Sequence, residues 1–280
     1  VFIDACKKGY ELGLSMAVGT NAFVLTKNRL EEVLPYLTYL RVNFSAGERK
    51  RYSEIMGVKE KAFDRVCQNI RDMVIIKKRD KLPVTIGMQM VLMPQDGDQI
   101  IPLAKLGKEL RPDYVIIKHC TDNEDGSLGI NYDAYEKLYP LLKEAEGYSD
   151  DEYKVAIKWS KIKDKGNHGR SYQRCYGAPF MLQLSGTGLV APCGALFNEK
   201  YKKFHIGNIV DTRFKDIWNS DQYWEVMNYL ASPAFNAQKM CGSLCLQHKV
   251  NESLDSHVKR QIDLTKNINN SKKPQHINFI

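Results

Sequence analysis

Residues 59–92 read KEKAFDRVCQNIRDMVIIKKRDKLPVTIGMQMVL. Within Lys59–Arg79, the residues Phe63, Val66, Cys67, Ile70, Met73 and Val74 keep three- and four-residue spacing, which predicts an amphipathic helix. Val84–Leu92 then alternates with a period of two, which predicts a strand. The same alternation extends to both sides. Helix Phe2–Leu12 precedes strand Leu14–Thr20, helix Lys27–Leu37 precedes strand Tyr39–Ser45, and helix Asp98–Leu110 precedes strand Asp113–Cys120. Asn131–Glu146 reads as a further helix, and short connections with glycine, proline and asparagine separate the elements. Repeated helix–strand units predict an α/β fold with a parallel sheet, open or closed into a barrel.

The strands carry a second message, because parallel strands covered on both faces usually read as continuous apolar runs. Here alternation sets Arg41, Asn43 and Ser45 against Val42 and Phe44, and Thr85, Gly87 and Gln89 against Ile86, Met88 and Met90. It likewise sets Ser15, Ala17, Gly19 and Asn21 against Leu14, Met16 and Val18. Helices must cover the apolar face, so the polar face is expected to line a binding cavity. Four strands precede the linker, too few to close a barrel, and the chain opens on a helical pattern. Both features lead us to expect that an N-terminal portion is absent from this sequence.

Composition narrows the class. Of the 280 residues 43% are hydrophobic and 26% charged, as in folded soluble domains. No apolar run approaches the roughly 20 residues of a membrane span, and no export signal is visible. Lysine and arginine outnumber aspartate and glutamate to give a net charge of +8, but the basic residues are scattered, which argues against nucleic-acid binding. Seven cysteines in a chain of this length suggest free thiols or metal ligands and a cytoplasmic setting.

Residues 1–147 form the first expected domain, residues 148–170 a linker rich in Asp, Lys, Gly and Ser, residues 171–255 a second domain, and residues 256–280 a C-terminal helix and tail. Pro179–Gly194 suits a hairpin turning at Gly186-Thr187-Gly188. Lys215–Asn219, Asp221–Leu230 and Gln247–Lys266 read as helices, Trp218 and Trp224 as core, and the Lys266–Ile280 tail as docking through Ile277, Phe279 and Ile280. Cys6 and Cys67 lie on apolar helix faces and read as small buried hydrophobes. Cys120 ends a strand. Cys175, Cys193, Cys241 and Cys245 sit in loops rich in glycine and proline. Four converging thiolates suit tetrahedral zinc or an iron–sulfur cluster, and spacing alone leaves the two level.

The pattern Cys175-x12-Gly188-x4-Cys193 resembles the opening of the SPASM and twitch domains that follow the barrel in many radical S-adenosylmethionine enzymes. His205-Ile-Gly-Asn-Ile209 with Phe214-Lys-Asp-Ile-Trp-Asn-Ser220 resembles a run of that domain, and Cys241-Gly-Ser-Leu-Cys245 its closing cysteines. Upstream, Gly19-Thr20-Asn21 is similar to the family's Thr-Asn-Gly element, with Ala22 where glycine is common. Leu40–Ser45 followed by Tyr52-x3-Met56-Gly57 is similar to the strand that contacts the cofactor ribose. The family's CxxxCxxC loop and its Gly-Gly-Glu element do not occur in these residues.

The resemblance implies a partial (β/α)6 TIM-like barrel missing its first strands, followed by a small α+β SPASM/twitch domain. It implies a radical S-adenosylmethionine oxidoreductase, with Cys175, Cys193, Cys241 and Cys245 holding one auxiliary 4Fe–4S cluster. A second 4Fe–4S cluster is expected in the missing N-terminal part, so this chain alone is expected to be inactive. Asn43 and Ser45 are the candidate ribose contacts, Thr20 and Asn21 shape the adjoining floor, and Gln89 faces the cofactor or substrate. His119 and Lys118, at a strand's C-terminal edge, are candidate acid/base groups. Expected partners are a polar small-molecule substrate (a sugar or aminocyclitol) or a peptide, and an electron donor such as flavodoxin or ferredoxin. The rival reading is a zinc-stapled binding or adaptor domain without redox chemistry.

Overall fold

A computed structural model describes residues 1–122, 127–163, 170–241 and 245–264. They fall into two compact units, the first comprising residues 1–120 and 130–163. In that unit α1 (Phe2–Glu11) leads to β1 (Ala17–Thr20), and α2 (Lys27–Val33) to β2 (Tyr39–Asn43). Helices α3 (Arg49–Met56) and α4 (Lys61–Asp80) lead to β3 (Thr85–Leu92), and α5 (Ile100–Leu110) to β4 (Tyr114–His119). Helix α6 (Tyr139–Glu146) leads to β5 (Lys154–Ile157), and α7 (Trp159–Ile162) adds one turn. The strands lie side by side in the order β1-β2-β3-β4-β5, every neighbouring pair parallel.

Several element limits differ from the sequence reading. Helix α2 stops at Val33, because Pro35 cannot supply the next backbone donor and Leu34–Tyr36 tighten into a 3-10 turn. The expected Asp98–Leu110 helix starts at Ile100, after a 3-10 stretch Pro94–Gln99, and Asn131–Glu146 divides into a 3-10 stretch and α6. Helix α3 escapes the periodicity because Tyr52 is its one buried residue, and Gly57 at φ +63° ends it. The stretch from 148 that reads as linker contains β5, making five strands before the second unit where four were expected. Among its four residues only Val155 is fully buried, and its place comes from pairing with β4.

The two faces of this sheet differ as the alternation requires. Leu40, Val42, Ile86, Met88, Met90, Val115 and Ile117 point to the side covered by helices and are fully buried with Leu30, Ile70, Met73 and Leu103. The opposite face carries Gly19, Arg41, Asn43, Gly87, Gln89, Tyr114, Ile116 and Lys118, matched by register across β1 to β4. It is not uniformly wet. Tyr114 and Ile116 are buried, and a Cβ on Gly87 would meet the Tyr114 ring at 2.1 Å, so glycine is what lets the ring lie across β3.

The second unit, described over residues 121–122, 127–129, 170–241 and 245–264, contains a small antiparallel sheet of β6 (Gln183–Leu184), β7 (Leu189–Ala191) and β8 (Gly207–Asn208). Helices α8 (Phe214–Trp218), α9 (Asp221–Ala231), α10 (Ala237–Met240) and α11 (His248–Val258) follow. The β6–β7 hairpin turns through Gly188 at φ +86°, where a side chain would also collide with Asn208. Ser220 caps α9, its Oγ accepting from the Tyr223 N–H at 3.2 Å. Tyr223, Val226, Met227 and Leu230 of α9 pack with Tyr172, Phe204, Ile206 and Phe235 as the core.

Trp218 and Trp224, expected inside, are 39% and 52% exposed. Tyr223 takes the interior position, with Trp218 stacked on its ring and Trp224 edge-on to it, both at 5.0 Å. Helix α11 continues across residue 255, where a boundary was expected. The helix expected over Gln247–Lys266 ends at Val258, and turns follow to residue 264. Residues 242–244 and 265–280, including the expected docking of Ile277, Phe279 and Ile280, lie outside the described residues. No helix among the described residues is long and apolar enough to cross a membrane.

Candidate iron–sulfur and cofactor sites

Each of the four late cysteines sits at the edge of a short ordered element of the second unit. The Cys175 N–H bonds the Leu230 carbonyl at the end of α9 (2.9 Å), Cys193 follows β7, Cys241 ends α10, and Cys245 precedes α11. Asn236 starts α10, its Oδ1 accepting from the Gln238 N–H, and Arg170 ties the helix's first residue to its C-cap by donating to the Ala237 and Cys241 carbonyls at 3.1 and 2.9 Å. Cys175, Cys193, Cys241 and Cys245 thereby line one cavity of about 530 Å³. Its described walls include no Asp, Glu or His.

Burial, followed by the neighbouring thiols, pushes Cys241 up to about 12, with Arg170 opposing. Burial also raises Cys175 and Cys193, and Cys245 adds to both. Four soft thiols on one cavity, with no carboxylate or imidazole in its described walls, suit an iron–sulfur cluster, whose binding would release the thiol protons. Among the described residues no three of these side chains are grouped closely enough for a single metal ion. Gln247, just before α11, is part of the wall, and Asn251 within α11 backs it. Asn251 Nδ2 donates to Cys175 Sγ at 3.5 Å, and Gln247 Nε2 donates to the Met181 and Pro192 carbonyls. Sequence reading missed both, because a polar helix position that turns out buried leaves no periodic signal.

In the first unit, Asn43 and Gln89 face the same side and are joined, Gln89 Nε2 donating to Asn43 Oδ1 at 2.9 Å. Ser45 is buried just beyond β2. Thr20 pairs in register with Val42, which places it on the helix-covered side, while Asn21 is exposed beyond β1. Both shape the turn that follows. Thr20 Oγ1 accepts from the Ala22 N–H and Asn21 Oδ1 from the Phe23 N–H, holding Ala22 at φ +57°, the conformation for which glycine is preferred.

Lys118 and His119 point to opposite faces of β4. Lys118 shares the face of Asn43 and Gln89, and its ammonium is pushed down to about 8 by burial, then by Lys161, Arg41 and Lys158. His119 is buried on the helix side against Tyr132 and Tyr135, with Nδ1 2.7 Å from the Cys120 carbonyl. Arg41 and Lys158 were not singled out as site residues, although the alternation of β2 already placed Arg41 on the polar face.

Residues 175–246 match SPASM, an iron–sulfur cluster-binding domain. The chain is similar in structure to Streptococcus suis SuiB bound to S-adenosylmethionine, with TM-score 0.57 and 16% identity over 81% of this chain and 53% of SuiB. Similar values hold for SuiB alone (0.56, 16% identity, 81% and 54%) and for SuiB bound to the precursor peptide SuiA (0.57, 16% identity, 82% and 52%). The chain thus spans about half the length of SuiB, and at this identity the likeness is one of fold. A comparison with functionally curated proteins gives no match. Residues 175–246 thus form a SPASM-type iron–sulfur cluster-binding domain, and the chain shares its fold with SuiB.

Proposed function

We propose that the chain is part of a radical S-adenosylmethionine oxidoreductase that modifies a polar substrate, a sugar, an aminocyclitol or a peptide, by hydrogen-atom abstraction. Residues 1–147, together with strand β5 in the stretch that reads as linker, belong to its barrel, and residues 171–255 form the cluster domain. Cys175, Cys193, Cys241 and Cys245 hold one auxiliary 4Fe–4S cluster. The observation that carries this reading is that all four thiols line one cavity, formed largely by the segment that matches an iron–sulfur domain. When bound, the cluster supplies a one-electron acceptor, and S-adenosylmethionine supplies the abstracting radical.

The chain's own residues bind and orient. Asn43 and Gln89, already paired, present amide groups to the cofactor's ribose or to the substrate, with Ser45 beside them. Thr20 and Asn21 hold the turn after β1. Lys118 is the acid/base group on the cavity face, with an ammonium poised to lose its proton just above neutrality. His119 acts from the other face by ordering the end of β4. An electron donor such as flavodoxin or ferredoxin serves the intact enzyme. Because these 280 residues lack CxxxCxxC, they do not cleave S-adenosylmethionine by themselves.

Anaerobic reconstitution with iron and sulfide tests the reading. About four irons and four sulfides per chain, with the broad visible absorbance of a cluster, are expected. Stoichiometric zinc and no iron uptake would replace it with the zinc-stapled domain.

A further inference from the structure

The polar face of the first unit's sheet holds positive charge that no acidic group among the described residues offsets. Register sets Arg41 of β2 beside Gly87 of β3, and Gly87 beside Tyr114 of β4. Lys118 lies four residues further along β4, on the same side. Lys158 follows β5, and its N–H bonds the Ile117 carbonyl at 2.9 Å, which fixes it against the end of β4. All three are only partly exposed. None has an ion-pair partner among the described residues, and Arg41 Nε is buried without a hydrogen-bond acceptor.

This is not how the unit treats its other half-buried cations. Lys77, 24% exposed, lies 2.6 Å from Asp113, and Arg51, 29% exposed, reaches Glu54, Asp96 and Asp98 at 2.7 to 3.0 Å. Burial and mutual repulsion, with Lys161 contributing, disfavour the Lys118 ammonium, and the Cys120 thiol weakly favours it. Lys158 is lowered in the same way by burial and by Arg41. Unoffset cations gathered on one face destabilise the empty protein, which is the expected signature of a site completed by an anion.

We propose that Arg41, Lys118 and Lys158 form a subsite for a carboxylate or phosphate group of the substrate. The inference rests on the reading that this face lines the substrate cavity. Position argues for substrate rather than cofactor. Arg41 shares β2 with Asn43, the residue assigned to the cofactor, but Lys118 is on β4 and Lys158 lies beyond β5, two and three strands or about 10 and 14 Å across the sheet.

The test titrates the 280-residue chain with inorganic phosphate and, separately, with acetate at pH 7 and fixed ionic strength, followed by calorimetry. Saturable binding is expected, the preferred anion reporting whether phosphate or carboxylate is the native group. Lys118→Met and Lys158→Met should each weaken it at least tenfold. Lys78→Met, at an exposed lysine paired with Glu152, should leave it unchanged. Melting points without anion should equal or exceed that of the wild type, which separates lost binding from lost fold. Equal affinity in wild type and both variants, or no saturable binding of either anion, would overturn the subsite. So would displacement of phosphate by S-adenosylmethionine but not by its decarboxylated analogue, which would assign the cations to the cofactor. Iron content is measured on the same samples: normal iron without anion binding defeats the subsite alone, and anion binding without iron defeats the cluster reading alone.

Discussion

Asn251 faces Cys175 from within α11, its Nδ2 donating to Sγ at 3.5 Å while its Oδ1 accepts from the Gly177 N–H at 2.8 Å. Asn251 is completely buried, so neither bond has a water substitute. Asn251→Leu should strand the Gly177 donor and cost about 1–3 kcal/mol in stability. It should also move the reduction potential of the reconstituted cluster to more negative values, because a donor to a ligating sulfur stabilises the reduced state. Thermal melting reads the first effect and an anaerobic redox titration the second. A variant with lowered stability and an unchanged potential would reduce Asn251 to a structural role.

Cys193→Ser and Cys241→Ser should each lose most of the bound iron and destabilise the second unit, because cluster binding is coupled to local folding. Cys67→Ala serves as the contrast. Its thiol is buried in the α4 core and pushed up to about 12 by that burial, so it is chemically inert. Its replacement should cost about 1 kcal/mol through lost packing and leave iron content unchanged. Equal iron in the Cys193 and Cys241 variants would remove those residues from the ligand set.

What could be read in advance follows from where each residue's environment is set. Helix α4 was legible because Val66, Cys67, Ile70, Met73 and Val74 form a stripe that only one face can bury. The Cys175–Gly188–Cys193 pattern was legible because hairpin geometry and cysteine spacing are local. Strand β5 was not, since Val155 in a charged surrounding acquires its burial from β4. The opposed directions of Lys118 and His119 were hidden for a different reason. Strand β4 reads Tyr-Val-Ile-Ile-Lys-His and is apolar on both faces until its end, so alternation there had no contrast to report. Trp218 and Trp224 misled because size suggested burial, whereas Tyr223, between them in space, fills the interior.

Gly87→Ala should destabilise the first unit by about 1–3 kcal/mol, since the added methyl would overlap the buried Tyr114 ring rather than a flexible chain end. Iron content should not change. Pairing it with Tyr114→Leu should recover part of the loss, and a double-mutant cycle in urea measures the coupling. Purely additive effects would show that the ring yields without cost.

Stability should depend on pH through Lys118 in a direction the burial of its ammonium fixes. Its folded value is pushed down from 10.5 to about 8 by burial, with Lys161, Arg41 and Lys158 adding repulsion and the Cys120 thiol opposing. Between these two values the unfolded chain holds a proton that the folded chain has released, so stability contributed by this group rises with pH. The penalty is fully present below about 8 and gone above 10.5. Lys118→Met has no proton to lose. Its stability advantage over the wild type should therefore be largest near pH 7 and shrink as the pH is raised through 9 and 10, while other groups cancel in the comparison. Urea midpoints at these three values measure it. A constant difference across the range would mean that the Lys118 ammonium is fully hydrated in the folded protein and carries no repulsion from its neighbours.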